Sequence, residues 1–148
     1  MRYSIITATL NSAATLERTL NSLMSQEILP LEIIFVDGGS NDGTLEKISS
    51  FEKKSQMLGV KIKLLKQIDE RGIYSAWNLA LDKINAKSEF VFILNSDDWY
   101  LKNTITKIKS LFLSNKDAGI VCGRSLDFAN NFEIGISKPK PLWLFPIL

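Results

Sequence analysis

The sequence predicts an α/β protein: a doubly wound, mostly parallel sheet with helices on both faces. Three observations predict it. A short apolar run followed by a stretch with helical spacing occurs four times in succession, and a fifth apolar run then follows. One run, Phe90-Val91-Phe92-Ile93-Leu94, is continuous rather than alternating, which marks a strand buried on both faces and therefore central. The runs also end in glycine, hydroxyl or acidic residues. In open α/β sheets ligands bind along the carboxyl edge of the strands.

Taken in order, Tyr3 to Thr9 mixes β-branched and apolar residues and reads as the first strand. Asn11-Ser12 can cap the next helix, where Leu16, Leu20, Leu23 and Met24 share one face. Leu31 to Val36 is the second strand and runs into Asp37-Gly38-Gly39-Ser40-Asn41-Asp42-Gly43-Thr44, a tight loop. A helix from Thr44 to about Lys54 turns Leu45, Ile48 and Phe51 inward. Val60, Ile62 and Leu64 alternate with Lys61 and Lys63, the pattern of an edge strand with one wet face. Ile73, Trp77, Ala80, Leu81 and Ile84 form the stripe of the following helix. After the Phe90 strand, Asn103-Thr104 opens a helix with Ile105, Ile108, Leu111 and Phe112 inward, and Ala118 to Leu126 reads as the fifth strand. With no repeat and no linker, residues 1–148 are expected to form one domain, with its core in residues 1–128 and a proline-rich apolar tail in 129–148. Apolar residues of that tail are expected to favour self-association.

Composition removes several function classes. A net charge of +2 on 148 residues argues against nucleic acid as the partner. Cys122 is alone in Ile120-Val121-Cys122 and is expected to be a buried core thiol. There is no histidine, so the commonest general base and metal ligand is missing, and catalysis would fall to carboxylates, metal and backbone. The first residues do not form a signal peptide, and no window reaches the roughly 20 apolar residues of a membrane span. A cytoplasmic protein is expected, with peripheral association at the inner face of the cell membrane as a further expectation.

If the sheet is parallel, four polar groups gather at its carboxyl edge: Thr7-Ala8-Thr9-Leu10-Asn11, Asp37 with its glycine loop, Asp69-Glu70-Arg71, and Asn95-Ser96-Asp97-Asp98. The glycine loop offers free amides and close approach to a flat ring or a phosphate. It lacks the Walker lysine pattern and the G-x-G-x-x-G fingerprint. Adjacent carboxylates repel when both are ionised, and a hard divalent cation would relieve them. The alternatives stay open on the residues alone. Asp97-Asp98 also reads as a polar turn, Asp37 as a cap on its own loop, and Arg71 as a solvated surface charge. Trp77 reads as core, while Trp99 suits either a stacking role or packing beneath the acidic turn. Arg124 reads as a surface charge or a partner for Asp127.

These same stretches carry a resemblance. Ser4 to Asn11, the Leu16…Leu20…Ser22-Leu23…Gln26 helix, Val36 to Thr44, and Ile93 to Asp98 together resemble a family 2 glycosyltransferase of the GT-A fold. The stretch from Asp69 to Asn78 resembles the branch that builds bacterial exopolysaccharide and O-antigen. The resemblance covers about residues 1–128 and implies a role for each matching position. Thr7 and Thr9 would lie near base and ribose, and Asp37 would accept from the uracil ring. Arg71 would lie near the base or the phosphates, and Asn78 would brace its loop. Asp97 and Asp98 would hold Mn²⁺ or Mg²⁺ on the diphosphate of a UDP-sugar. The acceptor would be a saccharide or a lipid-linked saccharide, and transfer would invert the anomeric carbon.

Two departures accompany the resemblance. Asn95 stands where the family often has Asp. The catalytic base comes from the family's C-terminal half, so the chain resembles a nucleotide-binding half truncated before it. A non-catalytic fragment that binds only nucleotide-sugar and metal is the alternative. A nucleotidyltransferase is disfavoured by the missing basic glycine loop near the N-terminus.

Overall fold

The computed structural model describes residues 1–68, 72–123, 125–129 and 132–137. The elements run β1 (Tyr3–Thr9), α1 (Leu16–Met24), β2 (Glu32–Asp37), α2 (Thr44–Gln56), β3 (Lys61–Lys66), α3 (Ile73–Leu81), β4 (Phe90–Ile93), α4 (Thr104–Ser114), β5 (Ser125–Ala129) and β6 (Phe132–Ser137). The chain divides into two compact units, Met1–Lys109 and Ser110–Leu148.

In the first unit four strands pair in the order β3-β2-β1-β4, every pair parallel. β1 and β2 take the middle, and all six residues of β2 are buried. Alternation along these strands splits the core in two. Tyr3, Ile5, Ile33 and Phe35 meet Leu16, Leu20 and Leu23 of α1 and Ile48 and Phe51 of α2. Ile6, Ile34 and Val36 meet Ala76 and Ala80 of α3 on the other face. The predicted doubly wound layers are therefore present.

Several details differ from the sequence reading. β4 is an edge strand among the described residues, not a central one, and Val91 and Ile93 are 39% and 46% exposed. They lie on the α3 side of the sheet, where α3 packs over β1 and β2 and stops short of them. α3 keeps part of the predicted stripe: Ala80 is buried and Trp77 and Ile84 pack against the core, while Ile73 and Leu81 are exposed and Ala76, outside that stripe, presses on the sheet beside Ala80. Two alanines one turn apart let a helix approach a strand more closely than larger side chains would. Leu64 stands 48% exposed near the end of β3. Asn11 adopts φ 50°, and α1 begins only at Leu16 with Thr15 at its N-cap, so Ser12 lies in the preceding turn, where its carbonyl accepts from the Thr15 and Leu16 amides.

In the second unit, residues 118–123 form no strand, and Leu111 and Cys122 are exposed. Gly119 and Gly123 bracket that stretch, and glycine disfavours strand. The fifth strand lies later, at β5, and pairs antiparallel with β6 in a separate hairpin. Among the described residues no helix is long and apolar enough to cross a membrane.

One buried charge anchors the amino edge of the sheet. Glu32 is fully buried, and its Oε1 accepts from the Ser4 hydroxyl at 3.0 Å and the Asn85 amide at 2.6 Å. Its Oε2 lies 2.8 Å from Lys63 Nζ. Burial raises its pKa, but Lys63, the Asn85 amide and the Ser4 hydroxyl outweigh burial and hold it below the ordinary 4.5. A depressed folded pKa contributes stability that is present above the unfolded value and lost as pH falls through the folded one. Breaking a buried ion pair costs about 3–5 kcal/mol. The Lys63 side chain is 25% exposed and softens the loss. Glu32→Gln is therefore expected to lose about 2–3 kcal/mol at neutral pH, and the gap to wild type should close in acid, as pH falls through the lowered folded pKa. Urea unfolding at neutral and acid pH reads this, and equal stability at neutral pH would contradict it.

Candidate functional site

The carboxyl ends of the strands in the first unit border a cleft of about 530 Å³. β1 and the turn after it supply Ala8, Thr9, Leu10, Asn11, Ser12 and Thr15, and the loop after β2 supplies Gly38. Gln67 follows β3, Gly72, Ile73 and Ala76 open α3, and Asn95, Ser96 and Asp97 follow β4. All four strand ends thus reach one cleft, as a parallel sheet requires.

Asp37 ends β2 and is 4% exposed. Its Oδ1 accepts from the hydroxyls of Thr9, at 3.0 Å, and Ser40. Its Oδ2 accepts from the amides of Gly39 at 2.9 Å and Ser40 at 2.8 Å. A carboxylate offers about four lone-pair sites, and here all four are engaged. Burial pushes its pKa up. The Ser40 hydroxyl, the two amides and the Thr9 hydroxyl outweigh burial and hold it below the usual carboxylate range. Asp37 therefore shapes the glycine loop, and contact with a base would require it to give up one of these bonds. Gly39, at φ 101°, and Gly43, at φ 97°, supply left-handed turns that other residues adopt with strain.

The loops after β1 and β2 are laced together. The Asn11 amide donates to Ser40 Oγ, the Asn41 amide to Asn11 Oδ1, and the Ser12 amide to Thr44 Oγ1, at 2.8–3.0 Å. Asp42 accepts from the Ala13 amide through one oxygen and from Thr44 through the other. The Thr44 hydroxyl is the main cause of its lowered pKa. Asp42, Ser40 and Ser12 escaped the sequence reading as site-building residues. The available signal was a short hydroxyl or acid at each loop position where a backbone amide lacks a ladder partner.

The acidic turn is held from the opposite side by α1. Thr19, 1% exposed, directs its hydroxyl to the carbonyls of Ser96, at 3.0 Å, and Asp98, at 2.7 Å. Ser22 Oγ accepts from the Tyr100 amide at 3.1 Å. Gln26 spans the Leu101 carbonyl and the Ile105 amide. The Arg18 guanidinium lies 3.3 Å over the Trp99 ring, a cation–π contact. Ser12 and Ser96 hydroxyls meet at 2.8 Å. Asp97 lines the cleft and is exposed, and Asp98 accepts from Asn95 Nδ2 at 3.3 Å. Burial and then the Asp97 charge raise the pKa of Asp98. Burial and the Asp98 charge push Tyr100 up to about 12.

Thr9 and Asp97 thus border one cleft, and Asp37 sits in its glycine wall. Thr7 does not border it: the residue is fully buried on the α1 side of β1, and its hydroxyl has no hydrogen-bond partner among the described residues. Asn78 is exposed on α3 and does not line the cleft. Arg71, with Asp69 and Glu70, lies outside the described residues.

Known proteins are similar to this chain in sequence and fold. The model of the glycosyl transferase family 2 matches residues 4–146. A PGL/p-HBAD biosynthesis glycosyltransferase of Mycobacterium bovis (strain BCG / Pasteur 1173P2) is 31% identical over 134 residues, 90% of this chain and 50% of that protein. The poly(ribitol-phosphate) β-N-acetylglucosaminyltransferase TarS of Staphylococcus aureus is 33% identical over 107 residues, 71% of this chain and 18% of that protein. The crystal structure of TarS residues 1–349 with UDP-GlcNAc superposes with a TM-score of 0.65 at 28% identity, covering 78% of this chain and 32% of that one. The fold is GT-A, and the chain spans half or less of the length of these curated relatives. On a family match over nearly its whole length, the chain belongs to glycosyl transferase family 2.

Proposed function

We propose that this chain carries the donor half of an inverting glycosyltransferase that moves a sugar from a UDP-sugar to a saccharide or lipid-linked acceptor in bacterial surface polysaccharide synthesis. The observation that carries the reading is the cleft itself. A glycine loop laced to the end of β1 faces an acidic turn after β4, within a family whose member TarS was crystallised with UDP-GlcNAc. The glycine wall suits a flat uracil, and the acidic wall suits a cation-bound diphosphate.

The residues present fit a divalent cation. Asp98 gains proton affinity from burial and from Asp97, so the turn carries negative charge in excess of its partners. Asn95 adds a buried Oδ1 with no hydrogen-bond partner at the same cleft. These are oxygen donors, the set that Mg²⁺ and Mn²⁺ take. Asp97 and Asp98 would hold the ion, and when bound it would neutralise charge on the diphosphate leaving group. Thr9 and the Gly38–Ser40 loop orient the nucleoside, with Asp37 keeping the loop amides in place. Arg71 is proposed for the base or the phosphates and Asn78 for bracing its loop, while Thr7, fully buried in β1, is not proposed to touch the nucleotide.

Calorimetric titration of UDP with and without Mn²⁺ tests the reading. UDP is expected to bind at least about tenfold more tightly with Mn²⁺, a difference of about 1.4 kcal/mol. Equal affinities would remove Asp97 and Asp98 from a metal role.

A further inference from the structure

We infer that Thr19 on α1 is a positioning residue for Asp97, fixing the direction in which that carboxylate faces the cleft. The inference rests on the proposed metal-dependent nucleotide site. Its observation is a single buried hydroxyl shared by two carbonyls, those of Ser96 and Asp98, at 3.0 and 2.7 Å. Those carbonyls flank Asp97. Drawing both onto one donor makes the chain curl around the residue between them, so that its side chain leaves the curl on the far side. Asp97 is exposed and lines the cleft, while Thr19 is 1% exposed behind it. No strand or helix satisfies these carbonyls, because Ser96 and Asp98 lie between β4 and α4. A buried hydroxyl without an acceptor is costly, and these carbonyls are what Thr19 donates to across the loop, so the turn has reason to keep this conformation.

Thr19 does not act alone. Ser22, nearly a turn further along α1, and Gln26, just past the helix end, take the next backbone groups, the Tyr100 amide, the Leu101 carbonyl and the Ile105 amide. α1 thus reads out the loop residue by residue, and the rigid helix transfers its position to the acids. The helix in turn is fixed by Leu16, Leu20 and Leu23 against the sheet. A loop held only by its own turn would sample several directions for Asp97. A metal site built on such a loop would lose affinity, because outer partners that orient a ligand are typically worth about 10–100-fold in metal affinity.

The test compares Thr19→Val, which keeps shape and loses the donor, with Thr19→Ser, which keeps the donor. UDP affinity is measured with and without Mn²⁺, together with amide hydrogen exchange at Asp98, whose N–H donates to the Asn95 carbonyl. Thr19→Val is expected to lower the Mn²⁺-dependent affinity by about tenfold or more, to leave metal-free affinity unchanged, and to speed exchange at Asp98. Thr19→Ser should keep wild-type values. A Thr19→Val protein with wild-type metal response and wild-type exchange would overturn the inference. If that variant does not fold, Ser22→Ala takes its place, with the same expected direction and the same overturning result. Wild-type protein whose UDP affinity ignores Mn²⁺ would instead overturn the metal reading, and this inference with it. A metal response in wild type that Thr19→Val shares would overturn only the role of Thr19.

Discussion

Asp37→Ala is expected to cost the first unit about 3–5 kcal/mol and most of its affinity for UDP. The carboxylate takes four hydrogen bonds in a site that is 4% exposed. Bonds to a charged group contribute about 1.5–3 kcal/mol each, and they are not additive because the two hydroxyls can turn to other acceptors. The Gly39 and Ser40 amides cannot turn, so the loop itself must loosen. At about 4–8 °C per kcal/mol for a domain of this size, the melting midpoint should fall by at least 12 °C, roughly. Asp37→Asn keeps one acceptor oxygen and turns an amide donor toward other donors, so it should fall between wild type and alanine. Because the folded pKa of Asp37 lies below the ordinary 3.8, its contribution is present above that value and lost as pH falls through the folded pKa. Wild type and Asp37→Asn should therefore converge in acid. Circular dichroism melting across pH reads all three. Unchanged melting with weakened UDP binding would mean that the carboxylate serves the base and not the loop.

The second large effect concerns the acidic turn. Asp97→Asn/Asp98→Asn is expected to abolish the whole gain in UDP affinity that Mn²⁺ gives, a loss of about tenfold or more. Metal-free UDP affinity should hold or rise, since two charges that repel a diphosphate are gone. Melting should hold or rise for a related reason: the Asp97 charge already raises the pKa of Asp98, so the pair carries repulsion in the free protein. Calorimetry and melting on the same samples separate these outcomes. A retained Mn²⁺ response in the double variant would move the cation elsewhere in the cleft.

Much of this was legible in the residues, for identifiable reasons. Ile33 to Val36 read as a strand because nothing polar interrupts it, and the structure buries it completely. The gathering of strand ends at one cleft followed from parallel order alone. The Phe90 run misled because an apolar run reports that both faces prefer cover, not that cover is present. Val91 and Ile93 lie on the α3 face of the sheet, beyond the part that α3 covers. Ile120-Val121-Cys122 misled in the same way, since flanking glycines outweighed three β-favouring residues. At α3 the stripe held for Trp77, Ala80 and Ile84 but not for Ile73 and Leu81, because periodicity marks hydrophobic residues and missed Ala76, which is small enough for close approach. Thr19 was hidden in plain order: it falls between Leu16 and Leu20 on the apolar stripe, and a hydroxyl in that place was the signal. Asp37 could be placed at the sheet edge from sequence, but the number of its bonds depends on how the loop folds back.

The lacing of the loops after β1 and β2 also sets an order of assembly. Those bonds join residues 29–32 apart in the chain, all within the first strand–helix–strand unit and the loop that follows it. The bonds from α1 and Ser12 to the acidic turn join residues 77–84 apart. By loop-closure entropy alone the longer span costs only about 0.9 kcal/mol more, so both walls are affordable in the finished protein. The difference lies in time, because long-range contacts wait for the chain between them to be ordered. The glycine wall needs nothing beyond Thr44, whereas the acidic wall must wait for β4 and the turn beyond it. A nascent chain would thus hold a shaped pocket for the nucleoside before it holds any charge for the phosphates.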